Sequence, residues 1–503
     1  MEACDPVNEA RRAEFRRVDG AVYDVAVIGA GVSGARIFHQ LCGMGYRVLL
    51  LDRGDFASGT SQASGMMIWG GLLYLKDLDF PTVGKLCRAR DEWIDRVPEK
   101  VRAAGLLYLQ GKKETRNRHL VQTGMWLYWL MGSLKRRFPG GGVGAEGLDF
   151  LKDGKGGGFS FEEAVLKESD CRFVLDWILP FATGESAALN HCEAHEMVFD
   201  HSRKLWRLDL RARLHGHEST VRTRFIVNAA GVWTDEVNDL LGVDSPYRHE
   251  LSKGVYLSIR KPQTLDDILI FDTGKDGDTF TVAPWGPVAL CGPTETRVTC
   301  LRDGFRPEAQ DVRSLLRLCR ENLKDRLGPE DIVSLRCGVR PLAVKRGFSK
   351  VVHPLELSRR HLVHHDSSRK VISVYGGKLT SCGLMAEEVR KLISSSIERR
   401  GDGVAKSMGV PPEEHFPGLG SSVPGAEWCR DHERCLTLED YLRRRTNIAQ
   451  WIPRGGLGRH SENTDTIRSI ARVFSPDDAA AETALASYQK SVCMRHDAVL
   501  AEV

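Results

Sequence analysis

The stretch Tyr23–Asp52, YDVAVIGAGVSGARIFHQLCGMGYRVLLLD, constrains this chain more than any other. An apolar run, Val25–Ile28, leads into Gly29, Gly31 and Gly34 in the spacing G-x-G-x-x-G. A helical segment follows, then a second apolar run, Val48–Leu51, that ends in Asp52. The order predicts strand, glycine turn, helix and strand, with an acid where the second strand stops. Each part has a mechanical reason in a dinucleotide site. Gly29 permits the tight turn, Gly31 admits backbone to a pyrophosphate, and Gly34 lets the helix pack on the strand. The helix start near Val32 aims N–H groups and a positive dipole end at phosphates. Asp52 can accept hydrogen bonds from an adenosine ribose. This pattern alone does not separate NAD from FAD.

The chain has 503 residues, enough for two or three domains and a large core. Its 71 basic and 67 acidic residues balance too closely to argue for a nucleic-acid partner. The runs Arg443–Arg444–Arg445 and Lys135–Arg136–Arg137 are short and read as solvated faces. Thirteen cysteines without a C-x-x-C pair suit a reducing compartment, so the expected location is cytoplasmic. The polar N-terminus shows no signal peptide, and no run of about 18 apolar residues predicts a transmembrane helix. One segment complicates this picture. Met125–Phe138, MWLYWLMGSLKRRF, reads as a helix. It suits either the interface of an inner membrane face, with bases at the headgroups, or a buried helix with a charged end.

Along the chain, residues 1–20 read as a flexible lead. Gly54–Tyr74 is a small-residue loop suited to backbone passing close to a ligand. Leu86–Val97 has a helical pattern, and Gly140–Gly158 reads as a surface linker or lid. Phe225–Gly231 is a second strand running into a glycine turn. Val255–Ile259 and Thr279–Cys291 read as sheet, Gln310–Leu327 as helix, and Val371–Tyr375 as a strand entering Gly376–Gly377–Lys378. A helix is expected over Thr380–Ile397, a linker over 401–425 and helices from 426 to 503. His191, His195 and Glu196 have metal-like spacing, but LNHCEAHEMVFD reads as a strand, which keeps the two histidines apart, so no metal site is expected. His364, His365 and Asp366 lie in a polar stretch. No G-x-S-x-G elbow or Walker A motif is present.

Four stretches together resemble the FAD-dependent glycerol-3-phosphate dehydrogenase family, within the larger D-amino-acid-oxidase-like group. They are the first unit with GDFASGTSQAS, then IVNAAGVW at Ile226–Trp233, then CGVRPL at Cys337–Leu342 with YGGKLT at Tyr375–Thr380, and finally TLEDYLRRRT at Thr437–Thr446. The resemblance covers roughly residues 22 to 490. It implies an α/β fold: a discontinuous Rossmann-like FAD-binding domain, an inserted mixed or antiparallel substrate sheet, and a C-terminal helical domain. The FAD-binding segments would be about 21–95, 159–245 and 335–400, and the substrate segments about 96–158 and 246–334. It also implies FAD rather than NAD. Gly29, Gly31, Gly34 and Asp52 would hold the ADP half. Thr60, Ser61 and Ser64 would line the phosphates and ring, and Gly377, Lys378, Leu379 and Thr380 the pyrimidine end.

The chain also departs from that family. KLIHGGLRYL is here MMIWGGLLYL, so Met66, Trp69 and Leu73 replace a Lys, a His and an Arg. KGSH is here KGVY, so Tyr256 replaces another His. The replaced Arg grips the substrate phosphate in the family, and losing such a contact costs roughly 2–5 kcal/mol. The lost histidines remove the usual general bases. Arg340, Lys378, Tyr74 and Tyr256 remain as candidates to orient an oxygen or move a proton. Arg248, Lys253 or Arg297 could restore an anion site. The expected activity is oxidation of a small hydroxylated substrate, glycerol 3-phosphate or another polyol or hydroxy compound, by hydride transfer to flavin. The electron acceptor is a quinone, a soluble acceptor or oxygen. An oxidase of an amine or hydroxy acid, a flavin-binding protein without catalysis, an NAD-linked enzyme, a peripheral membrane contact and a homodimer all stay open.

Overall fold

The computed structural model describes residues 5–75, 78–109, 118–143, 148–152, 158–182, 184–273, 279–301, 305–348 and 353–503. Val22–Ile28 is a central strand of the first sheet, parallel to Val48–Leu51 on one side and Glu218–Asn228 on the other. Ala187–Leu189 and Val371–Tyr375 add further parallel strands, and Leu362–Asp366 closes one edge antiparallel. The inner strands are apolar almost throughout because both faces are covered. Alternate residues go opposite ways. Val25, Val27, Val48 and Leu50 pack with the helices Val32–Gly43, Asp170–Ile178 and Cys382–Ser394. Ala26, Leu49 and Leu51 pack with Trp206, Leu208 and Leu210 of a meander on the other face.

The second sheet is mixed. Ile268–Asp272 and Val101–Leu109 pair in parallel, and its remaining pairs are antiparallel. Its longest pair joins Tyr247–Arg260 to Ile332–Lys345. Helices from Ala426–Glu433 to Asp478–Val492 share a core of their own, including Leu442, Ile448, Ile467 and Leu485. The fold class therefore matches the sequence expectation.

Several local expectations need correction. Pro6–Val18, placed in a flexible lead, form a helix capped by Asp5, whose Phe15 and Val18 are buried against the first sheet's outer layer. Gly158–Leu166 and Ile332–Lys345 belong to the second sheet, so the FAD-binding segments drawn at 159–245 and 335–400 begin too early. Gly140–Val143, within the expected linker or lid, is a strand on Gly158–Leu166, while 144–147 and 153–157 lie outside the described residues. The linker over 401–425 contains a short ladder between Glu413–Glu414 and Val423–Pro424. The aromatic helix spans Arg118–Met131, not Met125–Phe138. Ser133 and Leu134 take left-handed φ of 57° and 60°, and the chain folds back so that Trp129 Nε1 donates to the Arg136 carbonyl at 2.7 Å. Arg444 and Arg445, read as part of a solvated run, are buried because carboxylates meet them inside.

Gly34 is required by close packing: a Cβ there would collide with the Gly29 carbonyl oxygen. Gly29 cannot retreat, since its N–H is bonded to the Leu51 carbonyl at 2.8 Å. Gly34→Ala is therefore expected to destabilise the protein by about 1–3 kcal/mol or more. Gly124→Ala, where nothing lies within 4 Å, should be neutral or slightly stabilising. Thermal unfolding of the two variants measures the contrast.

Candidate functional site

The carboxyl ends of the parallel strands and the face of the second sheet enclose a cavity of about 960 Å³. At one end lies the glycine turn. Gly29 adopts φ 99°, and a Cβ on it would sit 2.5 Å from the Ala229 carbonyl oxygen. Backbone thus rests on backbone, leaving the turn's outer side to the cavity. Asp52 ties the turn to the second strand, accepting from the Ala30 N–H at 2.7 Å and the Gly54 N–H at 2.9 Å. Burial pushes its carboxyl up to about 6, against the pull of those two donors. Ser61 Oγ accepts from the Val32 N–H at 2.9 Å, so a hydroxyl occupies the helix start. Thr60 Oγ1 donates to the Val339 carbonyl at 2.5 Å, and the N–H and hydroxyl of Ser64 go to Asp170 Oδ2 at 2.9 and 2.8 Å.

Gly376 and Gly377, at φ 62° and 98°, turn the chain after Val371–Tyr375. The Gly376 N–H donates to Nε2 of His249, a buried histidine pushed down to about 3. Thr380 Oγ1 donates to the Trp69 carbonyl at 2.9 Å, joining this turn to the MMIWGG loop. The helix expected from Thr380 begins at Cys382. Gly29, Gly31, Asp52, Thr60, Ser61, Ser64, Gly377, Lys378, Leu379 and Thr380 all line the cavity, whereas Gly34 serves packing behind it.

The opposite end carries polar chemistry. Arg340, Tyr256 and Lys378 line it, but Tyr74 is not among the lining residues. The Tyr74 ring centre lies 4.5 Å from Lys378 Nζ. Burial, with the charge of Arg359, brings the Lys378 ammonium down to about 7 against the opposing field of Glu163. Tyr256 is raised by burial and stays a donor near neutral pH. Two residues missed in the sequence complete this end. Glu295 Oε2 takes Arg340 Nη1 at 3.1 Å and Arg359 Nη2 at 3.0 Å, and its Oε1 accepts from the Ser252 hydroxyl. Glu295 and Arg359 stand in polar stretches with no local motif, and only the folding of the second sheet brings them together. Gly254 has a signal in KGV: a Cβ there would strike the Arg340 guanidinium.

The basic residues expected as substitutes for the lost Arg are engaged elsewhere. Arg248 and Arg297 each pair with Glu250 at 2.6 Å, and Lys253 with Asp311 at 2.9 Å. Trp69 lines the cavity, and Met66 is buried in the core at a left-handed φ of 62°. The Leu73 side chain lies outside the described residues. His191 and His195 do not converge: His191 Nε2 meets Asp440 Oδ2 at 3.0 Å, while His195 is exposed on the strand Cys192–Asp200. Asp55, His191 and Asp440 could offer ligand atoms within 4.8 Å of one another. However, Arg444 Nη2 takes Asp440 at 2.6 Å, and Arg444 and Arg445 both take Asp55 at 2.6 Å. Burial would raise the Asp55 carboxyl, but Arg445 and Arg444 hold it below its ordinary value. The cluster is a charge clamp.

A glycine turn against a helix start, opening on a cavity between two sheets, defines a dinucleotide-dependent enzyme. The chain belongs to the FAD dependent oxidoreductase family, which it matches over residues 24–388. It is 28% identical over 472 residues to the aerobic glycerol-3-phosphate dehydrogenase of Staphylococcus haemolyticus, covering 91% of this chain and 81% of that one. Its fold is similar to the glycerol-3-phosphate dehydrogenase from Bacillus halodurans complexed with FAD, with TM-score 0.71 and 18% identity over 98% of this chain and 97% of that one. It is also similar to glycine oxidase from Geobacillus kaustophilus, with TM-score 0.56 and 19% identity over 77% of this chain and 100% of that one. Its cofactor is FAD. The glycine cradle at Gly29 and the cavity volume both fit that group.

Lys378 has no ion pair among the described residues, so its burial disfavours the charged form. Between pH 7 and about 10.4 the unfolded chain holds a proton on this lysine that the folded chain has released, so stability rises with pH there. Lys378→Met is expected to unfold at higher temperature than the parent at pH 7, with the gap narrowing by pH 10. Thermal melts at the two pH values check this.

Proposed function

We propose that the protein oxidises a small hydroxy compound carrying an anionic group, passing a hydride to FAD. The observation that carries this reading is the meeting of Arg340 and Arg359 on Glu295 beside a lysine that titrates near 7. Two guanidinium groups against one carboxylate leave a net positive wall for a phosphate or carboxylate. Gly29, Gly31, Asp52 and Ser61 would hold the ADP half, and Gly377–Thr380 the ring end. When bound, FAD supplies the two-electron acceptor for the substrate hydride. Arg340 and Arg359 orient the anionic group so that the carbinol faces the ring. Neutral Lys378 Nζ takes the hydroxyl proton, leaving a carbonyl product. Tyr256 donates to the same oxygen. Tyr74 sets the position of Lys378. Glycerol 3-phosphate satisfies these demands, as do hydroxy acids.

Anaerobic bleaching of the flavin tests the reading. Glycerol 3-phosphate, or a hydroxy acid from a panel, is expected to bleach it, and uncharged polyols to do so poorly. Arg359→Met should raise the half-bleaching concentration roughly thirtyfold or more. The bleaching rate should climb as pH rises through about 7 and level above it, and Lys378→Met should abolish that step. Bleaching by amines instead, with hydrogen peroxide formed in air, would favour the amine oxidase reading that the glycine oxidase fold supports.

We further propose that reoxidation occurs at a membrane, with a quinone as acceptor. No helix among the described residues is long and apolar enough to cross a membrane. Trp126, Leu130, Leu134 and Phe138 are nevertheless exposed together, beside exposed Lys135 and Arg137. That combination supports a contact with anionic headgroups. The protein should co-sediment with vesicles containing anionic phospholipid and less with neutral ones. Replacing both Trp126 and Leu130 by Ser should weaken binding roughly tenfold or more. Equal sedimentation of parent and variant would sink this proposal.

A further inference from the structure

We propose that the C-terminal helical region completes the cofactor site from behind, with Arg443, Arg444 and Arg445 as positioning residues for the loop Gly54–Ser64. Three consecutive residues of an α-helix spread over about 200°, so they cannot normally serve one target. Here Tyr441–Arg445 is a π-helical turn ending at Thr446, and all three guanidinium groups reach the same loop. Arg443 Nη2 donates to the Gln62 carbonyl at 3.1 Å. Arg444 donates to Gln62 Oε1 at 3.2 Å and to Asp55 Oδ2 at 2.6 Å. Arg445 takes both Asp55 oxygens, at 2.6 and 2.9 Å.

Asp55 and Gln62 bracket Ser58, Gly59, Thr60 and Ser61, which line the cavity. Gln62 Nε2 returns to the Ser58 carbonyl at 2.5 Å, closing the loop on itself. Within it Ala57 adopts a left-handed φ of 63°, a conformation that costs free energy in a residue with a Cβ. A loop bent in this way needs outside support to keep the Ser61 hydroxyl on the helix start. The family match ends at residue 388, so the supporting arginines come from outside it. Binding of FAD and docking of the turn Thr437–Thr446 are therefore coupled, and coupling is reciprocal. The inference rests on the reading of Ser58–Ser61 as part of the FAD wall.

Arg443 has no ion pair among the described residues, so Arg443→Met takes no charge partner from a buried carboxylate, unlike removal of Arg444 or Arg445. It should bind FAD about tenfold more weakly than the parent, as loss of a supporting contact behind a ligand does. Flavin fluorescence titration of the full-length apoprotein measures this. Arg454→Ala, which breaks a pair with Asp497 at 2.9 Å in the same region, should leave FAD affinity unchanged. Hydrogen exchange on the unmutated protein gives a second reading, free of any folding defect. Adding FAD should slow exchange in both 54–64 and 437–446. Slowing confined to 54–64, or an Arg443→Met affinity within about twofold of the parent, would overturn the coupling. Slowing in neither segment would overturn the assignment of the loop as well.

Discussion

At the glycine turn, main chain lies directly on main chain. Gly29 presses on Ala229, Gly34 on the Gly29 carbonyl, and the Gly29 N–H is held by the Leu51 carbonyl at 2.8 Å. That contact brings the carboxyl ends of three parallel strands to one edge, and the cavity opens there because side chains are absent at the point of closest approach. The second sheet supplies the facing wall. Its long pair, Tyr247–Arg260 with Ile332–Lys345, carries Tyr256 and Arg340 to the cavity on neighbouring strands. A guanidinium fits over Gly254 for the same reason that the first turn needs glycine: nothing projects from the backbone beneath it.

Burial disfavours the charge of every cation it covers, and what faces each cation decides whether that effect prevails. Arg444 and Arg445 lie behind the loop Gly54–Ser64 with Asp55 and Asp440 against them, and their charge is favoured despite desolvation. Lys378 lies in the cavity wall with Arg359 as a neighbouring charge, and its proton is loosened to about 7. Buried charge is thus favoured where a carboxylate pairs it and disfavoured where none does. The two regions are linked through the second sheet, since Ser64 binds Asp170, Asp170 binds Arg336 of that sheet, and Arg336 reaches Gln450 of the C-terminal region.

Much of the glycine-turn end of the cavity was legible in the sequence because its constraints are local. Strand, glycine turn, helix and acid follow within thirty residues, and Gly376–Gly377–Lys378 stands directly after an apolar strand. The polar end was not. Arg340 and Lys378 could be picked out by resemblance, but Glu295 and Arg359 sit in polar stretches whose partners lie far away in sequence. The three bases proposed as substitutes, Arg248, Lys253 and Arg297, were plausible by position alone, and neighbouring carboxylates claim each of them. The Arg443–Arg445 run misled because a short basic run is ordinarily solvated, and nothing local shows that a π-helical turn carries it inward.

The sequence by itself determined the dinucleotide turn and the fold class, because glycine spacing and apolar periodicity act between residues close along the chain, while FAD rather than NAD followed only from the resemblance of four distant stretches to a family. Tertiary structure alone decided which charges are paired and which stand free. A carboxylate's effect on an arginine or lysine depends on separation and on exclusion of water, and both are set only when distant strands and helices close around the site.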